Sequence, residues 1–542
     1  MSRTLPLIAA LVAIPTALVA QSPMPGLRLF SPLQSTDAFL VDTNGQIVQT
    51  WSGARPAGAT AYLEANGTLI RAENIPTGPN VAGRGGGIKR IAPDNTVLWD
   101  YEYADENGWA HIDFEPMPNG NVLLLVWDRM PAAAAIQAGR DPALLASIEW
   151  LPDAVVEVRQ TGLTTGEVVW EWHMMDHVIQ DFDPSKDNYG DVAANPGKLD
   201  INFPATVSND GEWNHCNAID YDPTTNLIVI SSPFQNEFWI IDHSTTTEQA
   251  AGSTGGFYGQ GGDILYRWGN PQAYRAGGPE DQKLFFHHST KFIPPGRPGA
   301  GNILVFNNRA GTPEGLNYST AVEIDLPYTF FLIPGQSYAP ADFTWEYREA
   351  NPTDLYSAIM SSVERMPNGN TLISSAQQGG HAFEVTPSGQ KVWEYTPGAL
   401  NFQCVWIGDN ILWSDADEVS VSAGGTVGFD VVAGSEFAGQ TYFVIGSMSG
   451  TYPGMFVNGL RFPLNFDGYF RASMFAANQL PFGNTLGTLD ANGRAHATFT
   501  LPGGILPPEA AGLEFHHATA IFSTTTSRVI RVSDTEPLRW TN

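Results

Sequence analysis

Three histidines occupy the same place in three copies of a repeated pattern, so their side chains could form one chemical site. They are His111 in a Trp-Ala-His-Ile-Asp stretch, His215 in Trp-Asn-His-Cys-Asn and His288 in Phe-His-His-Ser-Thr. An imidazole can act as a nucleophile, a general acid or base, or a metal ligand. A lone histidine is commonly a buried core residue whose hydrogen bonds are made within the core. Three histidines at the same position of three repeats instead favour a common site.

The repeats themselves predict the elements that would hold these side chains. Each histidine precedes a strand-like run, a turn such as Pro118-Asn119-Gly120-Asn121, and an apolar strand such as Val122 to Val126. Alternating apolar and polar residues bounded by Asn, Gly and Pro are typical of strands joined by tight turns. Six β-rich runs carrying tryptophan recur along the chain, with Trp51, Trp99, Trp170, Trp268, Trp345 and Trp393.

The spacing of the tryptophan runs predicts an all-β protein with a six-bladed β-propeller over residues 25–414. The shortest spacing is 48 residues, which suits one four-stranded blade, and longer spacings indicate loop insertions, above all at residues 176–202. Radial closure brings equivalent positions of the blades together around one channel. A large β-sandwich or a solenoid is the alternative.

The tryptophan pattern stops near residue 415, and short strand-like runs follow. We therefore predict a separate C-terminal β-sandwich over residues 415–542. The histidines of that region, His496, His516 and His517, are expected to be structural or surface residues.

Composition limits the cellular setting and the partners. Residues 1–20 resemble a secretory signal, which predicts an exported protein, and no other run is apolar enough to span a membrane. The formal charge of −29 argues against nucleic-acid or anionic-membrane partners. Two cysteines, Cys216 and Cys404, do not make a disulfide framework, and their pairing stays open. Oligomeric state is not predicted.

The chain resembles the bacterial aryl-sulfate sulfotransferases, exported six-bladed propellers, over roughly residues 25–410. Several stretches carry the resemblance together. They are Ala110-His111-Ile112-Asp113, Gly166-Glu-Val-Val-Trp-Glu-Trp172, Trp213-Asn-His-Cys-Asn217, His288 with Asn302-Ile-Leu-Val-Phe-Asn-Asn308, and Met366-Pro-Asn-Gly-Asn370.

The resemblance implies transfer of a sulfuryl group from a phenolic sulfate to a phenol, with no cofactor and no nucleotide sulfate donor. It implies that His288 is the nucleophile and is transiently sulfated. His111 and His215 would bind sulfate and assist proton transfer, and Asn217 would donate to sulfate oxygens. His287 adjoins His288, so the nucleophile could be displaced by one residue.

Two departures from the family pattern bear on this expectation. Where the family has a sulfate-binding arginine, this chain has Pro233, which offers neither charge nor a backbone donor. Arg309, at the end of the strand that follows His288, is our candidate replacement; a surface role is the alternative. The family's N-terminal sandwich is also absent from the sequence, and a C-terminal module is present instead.

Three functions therefore compete at the sequence level. The first is the sulfotransferase with His288 as nucleophile. The second is a divergent or non-catalytic propeller that binds a ligand or a surface, as the loss of arginine at Pro233 suggests. The third is a metal-dependent hydrolase or lyase with the histidines as ligands, although no zinc-site signature occurs and we predict no metal.

Overall fold

The computed structural model describes residues 22–77, 81–83, 85–145, 147–204, 211–333, 335–408 and 410–542. The predicted secretory signal at residues 1–20 lies outside the described residues. Strands dominate the chain, and six antiparallel four-stranded sheets are arranged as the blades of a propeller. The predicted fold class is confirmed.

Each blade is given from its innermost to its outermost strand. Blade 1 consists of Asn401–Ile407, Leu27–Pro32, Asp37–Val41 and Ile47–Ser52. Blade 2 consists of Ala57–Leu63, Leu69–Asn74, Gly86–Ile91 and Val97–Glu102. Blade 3 consists of Gly108–Pro116, Val122–Asp128, Asp153–Gln160 and Gly166–His173. Blade 4 consists of Ala218–Asp222, Leu227–Ser232, Glu237–Asp242 and Tyr266–Trp268. Blade 5 consists of His288–Phe292, Ile303–Asn307, Thr320–Ile324 and Trp345–Tyr347. Blade 6 consists of Ser362–Arg365, Thr371–Ser375, His381–Val385 and Lys391–Tyr395.

Blade 1 closes the ring, because it combines strands from the two ends of the propeller sequence. Asn401–Ile407 pairs antiparallel with Leu27–Pro32, with Leu27 opposite Ile407 and Phe30 opposite Cys404. Ring closure by hydrogen bonds joins the two ends of the propeller into one sheet. Cys404 and Cys216 are both buried and free, so they do not pair.

The tryptophan runs of the sequence are the outermost strands of the six blades. All six tryptophans named from the repeat lie in those strands, and Trp51 and Trp99 have no exposed surface. They fill the spaces between neighbouring blades, where an outer strand needs large apolar side chains to cover a widening gap. The repeat is therefore a packing requirement of the fold.

The C-terminal strands form one ten-stranded sheet that curls around its own core. Its main path runs through Phe482–Gly483, Arg494–Pro502, Gly424–Val432, Glu418–Ser420, Glu536–Thr541, Glu514–Phe522, Thr441–Ser447 and Leu486–Thr488. Leu412–Ser414 and Val529–Val532 pair at its sides. Because Leu412–Ser414 pairs with Gly424–Val432, this sheet takes in residues just before position 415.

The remaining elements are short. Three paired segments lie outside the blades: Met130–Pro131 with Glu149–Trp150, Val178–Ile179 with Leu199–Asp200, and Met455–Val457 with Leu460–Phe462. The α-helices are Ala132–Gln137, Thr247–Ala250 and Gly468–Phe475. The 3-10 turns are Pro142–Leu144, Met174–His177, Pro271–Tyr274, Pro279–Asp281, Thr312–Glu314, Pro352–Asp354, Ser435–Phe437 and Pro508–Ala510. Within the described part of the chain, no helix is both long enough and apolar enough to cross a bilayer.

The C-terminal sheet packs against the turns at one end of blades 1 and 2. Asp42, in the turn between the two outer strands of blade 1, accepts a hydrogen bond from the Ser435 backbone at 2.9 Å. Trp413 lies with its ring 6.2 Å from that of Trp51. The Asp42 turn lies beside the carboxyl end of the inner strand of blade 1, because Leu27 pairs with Ile407 and Arg28 pairs with Val41. His288, in contrast, begins its inner strand. The C-terminal sheet and His288 therefore lie at opposite ends of the propeller.

Candidate active site

A cavity of about 490 Å³ opens where the inner strands begin, on the axis of the propeller. His215, Glu212 and His288 supply its chemistry, and aromatic or aliphatic side chains form most of the wall. The apolar part includes Ala59, Ile112, Phe234, Phe286, Met360 and Phe402. A mostly apolar pocket with a few convergent polar groups is typical of a site for an organic ligand.

Asn308 fixes the protonation state of the His288 ring. Its amide nitrogen donates to the carbonyl oxygens of Ser357 and Met360, both at 2.8 Å. Its Oδ1 can therefore only accept, and it lies 2.8 Å from Nδ1 of His288. The hydrogen of the neutral ring is thus on Nδ1, and Nε2 carries the lone pair.

Burial keeps the His288 ring neutral. Desolvation lowers the pKa of His288 to about 3, and the nearby His215 and His287 act in the same direction against the hydrogen bond to Asn308. The described residues provide no hydrogen-bond partner for Nε2 of His288. A neutral imidazole with an unengaged ring nitrogen at a cavity wall is suited to nucleophilic attack.

His215 lies on the same cavity and is held by a carboxylate. Its Nδ1 is 2.6 Å from Oε1 of Glu212, and its ring stacks on Phe234 with centroids 4.9 Å apart. A carboxylate on one ring nitrogen orients the imidazole and stabilises its protonated form. The Glu212–His215 pair can therefore give and take a proton at the cavity.

His111 lies outside this cavity. Its ring stacks on Trp127 at 4.1 Å, and its Nε2 is 2.6 Å from Asp153 Oδ1, without hydrogen-bond alignment. The neighbouring Ile112, with a positive φ of 48°, lines the cavity as His215 does with φ 52°. The register of the inner strand of blade 3 shifts between Ala110 and Phe114, and this bulged segment carries Ile112 on the cavity and His111 outside it.

His287 and Asn217 lie in the wall behind the cavity. Asn217 donates from its amide to the carbonyl oxygen of His287 at 3.0 Å, which ties blade 4 to blade 5. Both residues are fully buried and neither lines the cavity. Burial lowers the pKa of His287 to about 3.

Arg309 and Pro233 line a second pocket of about 430 Å³ beside the cavity. Phe234 and Phe286 form part of both walls, with ring centroids 5.8 Å apart. Arg309 stacks over Phe286 at 3.7 Å, and His288 lies on the central cavity. Arg309 is therefore close to the reacting centre but belongs to a different chamber, which we call the side pocket.

The central cavity has no lysine or arginine among its described lining residues. Nor do three or more His, Cys, Asp or Glu side chains, within the ranges the structure describes, converge as metal ligands would. An anionic group in the cavity would instead face His288 and the Glu212–His215 pair. The electrostatics of the site thus depend on the Glu212–His215 pair.

Two polar residues of the site were missed by the sequence analysis as functional groups. Glu212 precedes His215 by three residues, and this short spacing is the one feature of the sequence that could have identified it. Asn308 ends a stretch that carries the family resemblance, but its partner His288 is twenty residues away across a strand pair. Phe286 also lines the cavity, whereas Trp109 and Phe285 are not among its described lining residues.

Comparison with known proteins yields a family match and several structural neighbours. The family model described as Arylsulfotransferase (ASST) matches residues 100–407, more than half of the chain. Among curated proteins, none matches. Similar solved structures include a protein of unknown function from Bacteroides caccae, at 11% identity and TM-score 0.38, covering 70% of this chain and 98% of its own. Another is the periplasmic gluconolactonase PpgL of Pseudomonas aeruginosa, at 11% identity and TM-score 0.35, covering 71% and 99%.

Proposed function

The chain belongs to the arylsulfotransferase family, and we propose that it moves a sulfuryl group from a phenolic sulfate to a phenol through a sulfated His288. The observation that carries the proposal is the hydrogen bond between His288 Nδ1 and Asn308 Oδ1 at 2.8 Å. It places the lone pair on Nε2 of a neutral ring beside an apolar cavity of about 490 Å³, a size that accommodates an aryl group. No cofactor is required.

In the first half-reaction, Nε2 of His288 attacks the sulfur atom of the aryl sulfate. The bond between sulfur and the phenolic oxygen breaks, and the N–S bond forms. The departing oxygen takes a proton from His215, which acts as general acid. The Nδ1 hydrogen of the sulfated ring stays hydrogen-bonded to Oδ1 of Asn308. This amide oxygen therefore stabilises the positive charge that develops on the ring.

In the second half-reaction, an acceptor phenol replaces the first phenol in the cavity. His215, now neutral, removes the hydroxyl proton while the phenolic oxygen attacks sulfur. The N–S bond breaks and its electron pair returns to Nε2, which restores the resting ring. Glu212 serves as a positioning residue that holds His215 and stabilises its protonated state.

His111 supports this site indirectly. Its partner Asp153 accepts a hydrogen bond from the backbone nitrogen of Cys216 at 3.1 Å, one residue from His215. Asp153 therefore holds the backbone that presents His215, and the buried His111 ring lies against Asp153. Asn217 holds the backbone beside His288 in the same way, through the carbonyl of His287.

The decisive experiment is intact-mass analysis after mixing the protein with 4-nitrophenyl sulfate and no acceptor. Near-neutral conditions are needed because sulfated histidine is acid-labile. We expect one adduct of sulfuryl mass in the native protein, no adduct in His288→Asn, and retention of the adduct in His287→Asn, the matched control. An adduct lost only in His287→Asn would move the nucleophile by one residue, and no adduct in the native protein would refute covalent transfer.

A second candidate is a propeller that binds a ligand without transferring a group. The observation in its favour is the central cavity without lysine or arginine, together with Pro233 where the family has arginine. It predicts saturable binding of aryl sulfates with neither adduct nor release of 4-nitrophenol. Export is the location we propose, on the basis of residues 1–20 of the sequence.

A further inference from the structure

The side pocket beside the central cavity has a wall of rings around one arginine. Pro204, Pro233, Phe234, Phe285 and Phe286 line it together with Arg309. Its volume of about 430 Å³ is close to that of the central cavity. A pocket of this size exceeds what is needed for water or an inorganic ion alone.

Arg309 is held in a fixed orientation, and none of the described residues accepts a hydrogen bond from its two terminal nitrogens. Its Nε donates to the carbonyl oxygen of Ala358 at 3.1 Å, and its guanidinium stacks on Phe286 at 3.7 Å. No carboxylate of the described residues pairs with it, although the chain carries 56 acidic and 27 basic residues. A planar guanidinium with both terminal nitrogens available binds carboxylate or sulfate oxygens in a bidentate manner.

We propose that the side pocket is a second binding site, for an aromatic molecule that carries an anionic group. The anion would pair with Arg309, and its ring would lie against Phe234, Phe285 and Phe286. The anionic character of the ligand rests on Arg309, whereas its aryl character rests in part on the proposed function.

The wall shared by the two chambers gives this site a role in the reaction. Phe286 contacts Arg309 at 3.7 Å, and its ring centroid is 5.9 Å from that of His288. An aryl anion in the side pocket would therefore lie next to the reacting centre without occupying it. The two chambers could hold a sulfated His288 and an aryl anion at the same time.

Equilibrium binding measured by calorimetry tests the proposal. The protein carries His288→Asn, so that donors are not consumed, and the probes are 4-hydroxybenzoate, 4-nitrophenyl sulfate and neutral phenol. Arg309→Met should weaken at least one of the two anions by 10-fold or more and leave phenol binding within 2-fold. Arg348→Met is the matched control, because Arg348 also stacks on a ring, that of Tyr318, away from the pocket.

Each outcome either identifies the ligand of the side pocket or overturns the proposal. Loss of 4-hydroxybenzoate binding alone identifies an acidic acceptor, loss of 4-nitrophenyl sulfate binding alone identifies the donor, and loss of both identifies aryl anions in general. Unchanged binding of both anions, or equal weakening of phenol, would overturn the proposal. Arg309→Lys keeps the charge and should retain part of the affinity, which separates a local effect from misfolding.

The test is independent of sulfuryl transfer. If anion binding depends on Arg309 but the native protein forms no adduct with 4-nitrophenyl sulfate, the sulfotransferase proposal is refuted and the side pocket remains supported. If the native protein forms an adduct at His288 but anion binding does not depend on Arg309, the sulfotransferase proposal is supported and the side-pocket proposal is refuted.

Discussion

Nδ1 of His288 and Oδ1 of Asn308 lie 2.8 Å apart, and this pair determines which ring nitrogen carries the lone pair. Asn308 has no freedom to exchange its oxygen and nitrogen, because its amide nitrogen already donates to two carbonyl oxygens. The ring hydrogen is therefore set by blade 5 and the segment before blade 6, away from the cavity. The reactivity of His288 is thus a property of the surrounding fold.

Replacing Asn308 by aspartate should make the reaction sensitive to acid. The native ring, with its pKa near 3, stays neutral above about pH 4, so the rate of donor cleavage should lack an acid limb from His288. A carboxylate beside Nδ1 favours the protonated ring and raises its pKa. The measurement is kcat/KM for 4-nitrophenyl sulfate from pH 4 to pH 9. A profile identical to that of the native protein would contradict the assignment.

Glu212→Gln should harm poor donors more than good ones. The amide keeps an acceptor for His215 but removes the charge that stabilises its protonated form. General acid catalysis contributes on the order of 10² to 10⁴ in rate, mostly where the leaving group is basic. We expect kcat/KM to fall about 10²-fold for phenyl sulfate and much less for 4-nitrophenyl sulfate. An equal loss for both donors would exclude the acid role, and Glu149→Gln, at the protein surface, is the control.

His287→Leu should make the protein more resistant to acid. Burial lowers the pKa of His287 to about 3, against about 6.5 in an unfolded chain, so the unfolded state binds the proton more tightly. The free energy of unfolding therefore carries no penalty from His287 above pH 6.5. As the pH falls from 6.5 towards 3, protonation of the unfolded chain lowers this free energy by about 1.4 kcal/mol per pH unit for one histidine. The variant should flatten the pH dependence of the unfolding free energy by that amount.

Denaturant titrations at pH 7.5, 6 and 5 measure this slope for His287→Leu. His496→Gln provides the control, because the His496 side chain is 57% exposed. A slope in His287→Leu as steep as that of the native protein would show that His287 does not govern acid sensitivity.

Trp413→Ala should destabilise the protein without affecting catalysis. The ring is 2% exposed and packs on Trp51 where the C-terminal sheet meets blades 1 and 2. Truncating a buried tryptophan costs about 3–5 kcal/mol. The folded variant should keep the native kcat, because the contact lies at the end of the propeller opposite His288. Ile530→Ala, at a position 41% exposed, should change neither property. A large fall in kcat in the folded variant would show coupling between the two ends.

The architecture can be predicted from the sequence, because packing requirements recur in every blade. The tryptophan of each outer strand and the Asn-Gly turns repeat along the chain, and local periodicity is visible in a single sequence. The C-terminal region was recognised in the same way, as a change of pattern near residue 415. Its curvature into one continuous sheet depends on pairings between distant strands, such as Glu418–Ser420 with Glu536–Thr541.

Which side chains share the site, in contrast, depends on the three-dimensional fold. His111, His215 and His288 look equivalent in sequence, but a register shift in the inner strand of blade 3 leaves Ile112 on the cavity and His111 behind it. Similarly, Arg309 reaches a side pocket because Phe286 stands between it and the central cavity. Such outcomes follow from strand register and backbone bulges, and a change of one residue in register reverses the direction of a side chain while leaving the sequence pattern intact.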